Sequence, residues 1–187
     1  MRKIILPILM ILCTFSYTQE RCGTELHTDL LKEKYPEYKA AREKVNLQTE
    51  KWLQNNPHYT SKTIITIPVV VHVVWNTNAE NISDAQIFSQ LDVLNDDFRR
   101  TNSDASNTPL VWQSIAADCE IDFCLATIDP NGNPTTGITR TQTTQTSFSI
   151  NNDGVKSAAS GGVNPWNQDD YLNIWVCDIN GGILGYA

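Results

Sequence analysis

Apolar positions run almost without a break through residues 63–75: Ile64, Ile65 and Ile67, then Val69, Val70, Val71, Val73, Val74 and Trp75. β-Branched side chains suit a pleated strand. A run without polar alternation predicts a strand covered on both faces, in the middle of a sheet packed with helices. Pro68 has no N–H to donate, so the well-paired part is expected to begin after it. The period then changes. Ile87, Leu91, Leu94 and Phe98 recur at helical spacing with Phe88 beside them, and Ser83 with Gln86 three residues later spells a capping box. Asp92, Asn95, Asp96 and Arg99 are expected on the outer side of this helix. Residues 121–128 return to a strand pattern. Strand, helix, strand demands a parallel pair and a right-handed crossover.

Either side of this unit the pattern is weaker. Residues 129–168 are rich in Thr, Asn, Gly and Pro and predict a long surface loop with one short strand over 137–141. Residues 171–178 predict a third strand, Asn180-Gly181-Gly182 a turn, and residues 183–187 the start of a strand at the sheet edge. Upstream, residues 28–54 are dominated by Lys, Glu, Ala, Gln and Leu. Leu30, Leu31, Tyr35, Tyr38, Val45, Trp52 and Leu53 form an imperfect apolar stripe that Pro36 interrupts or begins, and Asn55-Asn56-Pro57 stops it. The composition shifts sharply near residues 59–63, which sets a boundary there.

Residues 1–18 stand apart. Arg2 and Lys3 precede an apolar run over residues 4–15 that contains Pro7, and Ser16-Tyr17-Thr18 offers small residues before Gln19. This is the layout of a secretory signal, too short to span a bilayer, so no stable membrane span is expected once it is removed. Lipid attachment through Cys13 is the alternative, opposed by the bulk of Leu12. The expected organisation is a signal peptide over 1–18, a helical segment over 19–62 and an α/β body over 63–187. Export places Cys22, Cys119, Cys124 and Cys177 where disulfides persist, with three complete pairings open.

Charge is uneven. Residues 19–62 hold eight Lys/Arg against seven Asp/Glu, whereas residues 63–187 hold four against fourteen. An acidic body repels phosphate and excludes nucleic acid as a partner. Exported carboxylate-rich surfaces in some proteins hold calcium and in others serve solubility; both readings stand. His27, His58 and His72 form no metal-ligand spacing, and His72 among valines reads as a core histidine. Asp96-Asp97 and Asp169-Asp170 read as solvated surface. A thiol in a segment such as Arg21-Cys22-Gly23-Thr24 is ordinarily a disulfide partner.

The ordered set Ile67-Pro-Val-Val-Val-His-Val-Val-Trp75, Ile82-Ser-Asp-Ala-Gln-Ile87, Leu94-Asn-Asp-Asp-Phe-Arg-Arg100, Phe123-Cys-Leu-Ala126, Asp129-Pro-Asn-Gly132, Gly137-Ile-Thr-Arg140 and Tyr171-Leu-Asn-Ile-Trp-Val176 leading to Leu184-Gly-Tyr-Ala187 resembles the pappalysin family of metzincin zinc metallopeptidases. The resemblance covers about two-thirds of the chain. It implies the upper subdomain of a zinc-peptidase catalytic domain: a twisted, mostly parallel sheet with an antiparallel edge strand and a packed helix, behind a helical pro-segment. It also implies a secreted zinc metalloendopeptidase acting on protein or peptide substrates, with zinc on H-E-x-x-H-x-x-G-x-x-H, a motif absent from these 187 residues. The chain alone is therefore expected to be inactive. On the same resemblance Cys22 is a latency ligand to the zinc of the full-length protein, with a disulfide as the competing role. Arg21 and Gly23 anchor the pro-segment, and Leu184, Gly185, Tyr186 and Ala187 belong to the strand on which an extended substrate is laid. Two readings compete with the enzyme: a secreted non-catalytic binding module on the same α/β core, and a lipid-anchored surface protein.

Overall fold

The computed structural model describes residues 22–57 and 63–187. The sequence expectations for residues 1–18, Arg21 and His58 lie outside them. Everything is organised around β1 (Ile65–Trp75), the long apolar run. Three short strands pair with it, all parallel: β2 (Ile121–Leu125) along Ile65–Val69, β3 (Ile138–Gln142) along Val71–Trp75, and β4 (Leu172–Val176) along Val69–Val73. Backbone groups of odd-numbered β1 residues serve β2 and β3: Ile65 N donates to Glu120 O, Val69 O accepts from Ala126 N, and Val71 N donates to Gly137 O. β2 and β3 therefore lie end to end along one edge of β1, and β4 occupies the other.

This arrangement explains Pro68. Pairing begins at Ile65, earlier than expected, with Pro68 inside the ladder opposite Cys124. Donors alternate between the two edges of a strand, and Pro68, an even position, faces the edge that β4 reaches only from Val69 onward. Its missing N–H costs no hydrogen bond.

Residues 69–74 are 3% exposed or less, so the run is covered on both faces as its composition predicts. Val69, Val71 and Val73 pack with Phe123 under Ile87 and Leu91 of α3 (Asp84–Phe98). The capping box forms as spelled: Gln86 N donates to Ser83 Oγ, and Ser83 N donates to the Gln86 side chain. Asn95 is a correction to the helix pattern. Its side chain turns inward, donating to Phe123 O at 3.0 Å and accepting from Phe123 N at 2.7 Å, and so closes the outer edge of β2.

The opposite face of β1 is covered by irregular chain. Phe148 and Val155 are buried against Val74, with Val163 and Trp175 packed around them. The segment expected to be a surface loop is thus the second layer of the domain. Gly162 makes that layer close: a Cβ there would lie 2.1 Å from Val155 O.

Two further features differ from the sequence pattern. Residues 183–187 join no strand of the sheet, so the expected antiparallel edge strand is replaced by an isolated parallel bridge between Gly185 and Cys22. Cys119, Cys124 and Cys177 carry no disulfide. The short helix α4 (Leu110–Gln113) lies exposed beyond α3.

The segment ahead of β1 forms α1 (Thr24–Lys34) and α2 (Pro36–Asn55). Pro36 stands at the first turn of α2, where a missing N–H is harmless, and forces Tyr35 into extended backbone (φ −129°, ψ 94°), which ends α1. His27 is the buried residue of α1, and α2 buries none. Among the described residues no helix is long and apolar enough to cross a membrane.

Candidate functional site

The segment ahead of α1 meets the body at residues 183–187. Gly23 N donates to Gly185 O at 2.8 Å, and Cys22 and Gly185 pair in parallel. Thr24 Oγ1 accepts from Ala187 N at 3.1 Å and from the Cys22 thiol at 3.4 Å. The approach at Gly23 is close: an added Cβ would lie 3.1 Å from Ile183 Cγ2 and 3.4 Å from Tyr186 Cβ, so Ile183 would have to shift by a few tenths of an ångström. Gly23 is buried while Cys22 beside it is exposed, so the backbone is clamped and the thiol stands outward.

Gly23 is also the residue from which α1 starts, its carbonyl accepting from His27 N at 2.8 Å. One helical turn therefore carries His27 from the bridge into the body, where it is 3% exposed. Its Nε2–H donates to Asp153 Oδ2 at 2.9 Å, and its ring packs on Tyr186 with centroids 4.6 Å apart. Asp153 Oδ1 accepts from Tyr186 Oη and from Lys156 Nζ, each at 2.9 Å. Burial alone would raise the Asp153 carboxyl, but hydrogen bonds from Lys156, His27 and Tyr186 outweigh it and hold it below the usual range. The Tyr186 phenol moves the other way, raised by burial and by the Asp153 carboxylate it donates to. Lys156 lies over the Tyr186 ring at 4.9 Å from its centroid.

Beside this contact a groove of about 450 Å³ runs between β4 and the chain from Leu184 to Ala187, with Val155 and Lys156 in its wall. Leu184 is 75% exposed. Leu184, Gly185, Tyr186 and Ala187 thus form one lip of a groove, with Cys22 and Gly23 bridged to Gly185 of that lip. Arg21 lies outside the described residues.

His72 has a different surrounding. Asn173 Oδ1 can only accept, so the hydrogen sits on His72 Nε2 (3.0 Å), and Nδ1 accepts from the Thr139 hydroxyl (2.7 Å). Asn173 Oδ1 also accepts from Trp166 N. The ring is a satisfied core histidine, with its pKa pushed down by burial. Among the described residues no three His, Cys, Asp or Glu side chains group as a metal site. The described residues do not by themselves fit a catalytic metal.

Sequence reasoning named Arg21, Cys22, Gly23, Leu184, Gly185, Tyr186 and Ala187 as site residues and gave no site role to His27, Asp153 or Lys156. His27 and Asp153 are 126 residues apart, joined by no motif. The one available signal was an isolated histidine one helical turn after the Cys-Gly pair.

No family model and no curated protein matches the chain. Solved structures do. Mature mirolysin of Tannerella forsythia, in complex with a cleaved peptide, is 56% identical over 68% of this chain and 47% of its own, with a TM-score of 0.66. Mirolysin in complex with compound 9 is 55% identical over the same shares, with a TM-score of 0.65. A Tannerella forsythia promirolysin mutant is 45% identical over 90% of this chain and 53% of its own, with a TM-score of 0.70. The chain spans about half the length of the solved structures it matches. Sequence and fold together therefore relate the chain to mirolysin and, over a longer stretch, to promirolysin, with which it shares a mixed α/β, mostly parallel-sheet, metzincin-type fold.

Proposed function

We propose that this chain is the front part of a secreted zinc metalloendopeptidase precursor of the pappalysin group, in which residues 19–62 hold the enzyme latent until they are removed. The observation that carries the reading is the parallel bridge of Cys22 and Gly23 onto Gly185. An extended substrate adds to an exposed edge through that edge's own N–H and C=O groups. Here Gly185 O is already taken by Gly23 N, so the lip from Leu184 to Ala187 is occupied. The occupying segment runs parallel to the lip, the reverse of the antiparallel direction in which metzincin substrates lie, and so blocks the edge without presenting a bond in the substrate's direction.

The comparisons support the same division. Mature mirolysin matches 68% of the 187 residues, about the length of residues 63–187, and promirolysin 90%. The extra 22%, about 41 residues, is close to the length of the segment ahead of β1. A mature mirolysin with a cleaved peptide supports peptide substrates for the full-length protein. Its metal would be zinc. Among the described residues Cys22 is the one proposed to reach it, as a thiolate supplied by the pro-segment. The export signal over residues 1–18 is part of the proposal and places the protein outside the cell.

Cys22→Ala in the full-length precursor tests it. Peptide cleavage before the pro-segment is removed, with metal content unchanged, is the expected result. A precursor that stays inactive and gains one titratable thiol among Cys119, Cys124 and Cys177 would overturn the latency reading in favour of a disulfide.

A further inference from the structure

We propose that Asp153, Tyr186 and Lys156 form an imidazole-binding site on the body of the protein, and that its occupant in the precursor is His27. The regulatory half of this statement rests on reading residues 19–62 as a pro-segment; the site itself does not.

Two of the contacts that shape the site, Tyr186 to Asp153 and Lys156 to Asp153, do not involve His27. Asp153 stands in left-handed backbone (φ 52°) at the start of a tight turn, and its carboxylate meets the Tyr186 hydroxyl. Oδ1 is held by two donors, the Tyr186 hydroxyl and the Lys156 ammonium. Oδ2 is left pointing at His27 Nε2. The Tyr186 ring packs against the imidazole at a tilt of 54°, with centroids 4.6 Å apart. Lys156 already balances the Asp153 charge, so the occupant need not be a cation. It needs a planar ring with one N–H donor, as a neutral imidazole has. His27 Nδ1 is buried with no partner, which agrees with a site that reads one nitrogen and not both.

The contact is also where α1 is held. His27 is the buried residue of α1, and α2 buries none. Besides the bridge at residues 22–24, this ring is a buried point of attachment of the segment, with Leu30, Leu31, Lys34 and Tyr35 facing residues 150–153 across a small cleft. Tyr186 belongs to the lip that Gly23 bridges, so the imidazole site and the blocked edge are one contiguous surface. Removing the pro-segment vacates both together. A peptide laid along Gly185 and Tyr186 would then find an unoccupied Asp153 carboxylate oxygen beside it.

The test uses the 187-residue chain, and needs neither metal nor peptidase activity. His27→Ala is compared with wild type by amide hydrogen exchange. Exchange over residues 30–34 of α1 is expected to rise about tenfold or more, the loss of a hydrogen bond to a charged group, while residues 69–74 of β1 stay protected. Asp153→Asn, made in the His27 background, should loosen α1 in the same direction and guards against a His27 variant that misfolds. The variant is then titrated with free imidazole and with 1-methylimidazole, which has no N–H. Imidazole should shift the Tyr186 and Lys156 resonances at millimolar concentration in His27→Ala and not in wild type, and 1-methylimidazole should not. Equal shifts from both probes, or unchanged α1 exchange in both variants, would overturn the proposal. If instead the imidazole site behaves as stated but Cys22→Ala leaves the full-length precursor inactive, the site stands and the latency reading of Cys22 falls.

Discussion

Gly162→Ala should be among the most damaging small substitutions in the body, because the space for a methyl group is filled by main chain. An added Cβ would lie 2.1 Å from Val155 O, 2.4 Å from its carbonyl carbon and 2.6 Å from its Cα. No rotamer relieves a clash with backbone, so the turn carrying Val155 must move by about 1 Å to restore ordinary contact. Val155 is 3% exposed and packs on Val74, and its carbonyl accepts from Val163 N at 2.8 Å. Movement therefore strains a packed layer, at roughly 1–3 kcal/mol, and weakens a buried backbone hydrogen bond, at roughly 1–3 kcal/mol. Together these come to about 2–6 kcal/mol, and the middle of that range lowers Tm by roughly 10 °C for a domain of this size. The assay is thermal unfolding followed by circular dichroism, with Gly185→Ala as reference, since a Cβ at Gly185 meets nothing within 4 Å. A Gly162→Ala protein melting within 2 °C of that reference would refute the reasoning and show that the second layer over β1 is loosely held.

Other consequences follow from single residues. Burial lowers the pKa of His72, so the stability tied to its neutral form is complete above about pH 6.5 and is lost as pH falls below it; wild type should lose more Tm between pH 7.5 and 5 than His72→Gln, and equal losses would count against it. Cys177 is pushed up to about 11 by burial and by the neighbouring Asp178 and Glu80 charges; at pH 8 it should alkylate far more slowly than the exposed Cys119 and Cys124, as peptide mass mapping would read. Ser83→Ala removes the acceptor for Gln86 N and should cost about 1 kcal/mol in urea unfolding, and a cost near zero would mean the capping box carries no stability.

The sequence alone determined what is local. A β-branched run makes β1 an interior strand because no alternation is left for a solvent face, and both faces are indeed covered. The capping box starts α3 because both of its hydrogen bonds lie within four residues. Pro36 opens α2 and ends α1 through one steric rule about the residue before proline. Tertiary structure decided what depends on chain brought from far away. Pro68 is harmless only because β2 and β4 take opposite edges, which a strand pattern does not encode. Residues 143–163 carry no periodicity, yet Phe148 and Val155 cover β1, because filling a layer needs apolar volume in the right place and not regular backbone. Residues 183–187 pattern as a strand but pair with Cys22 instead of the sheet, since the turn at Asn180–Gly182 leads them away from β4. His27 and Asp153 meet across 126 residues through one hydrogen bond. A hydrogen bond between side chains leaves no period or spacing behind it in sequence, so that half of the site appears only when α1 is docked.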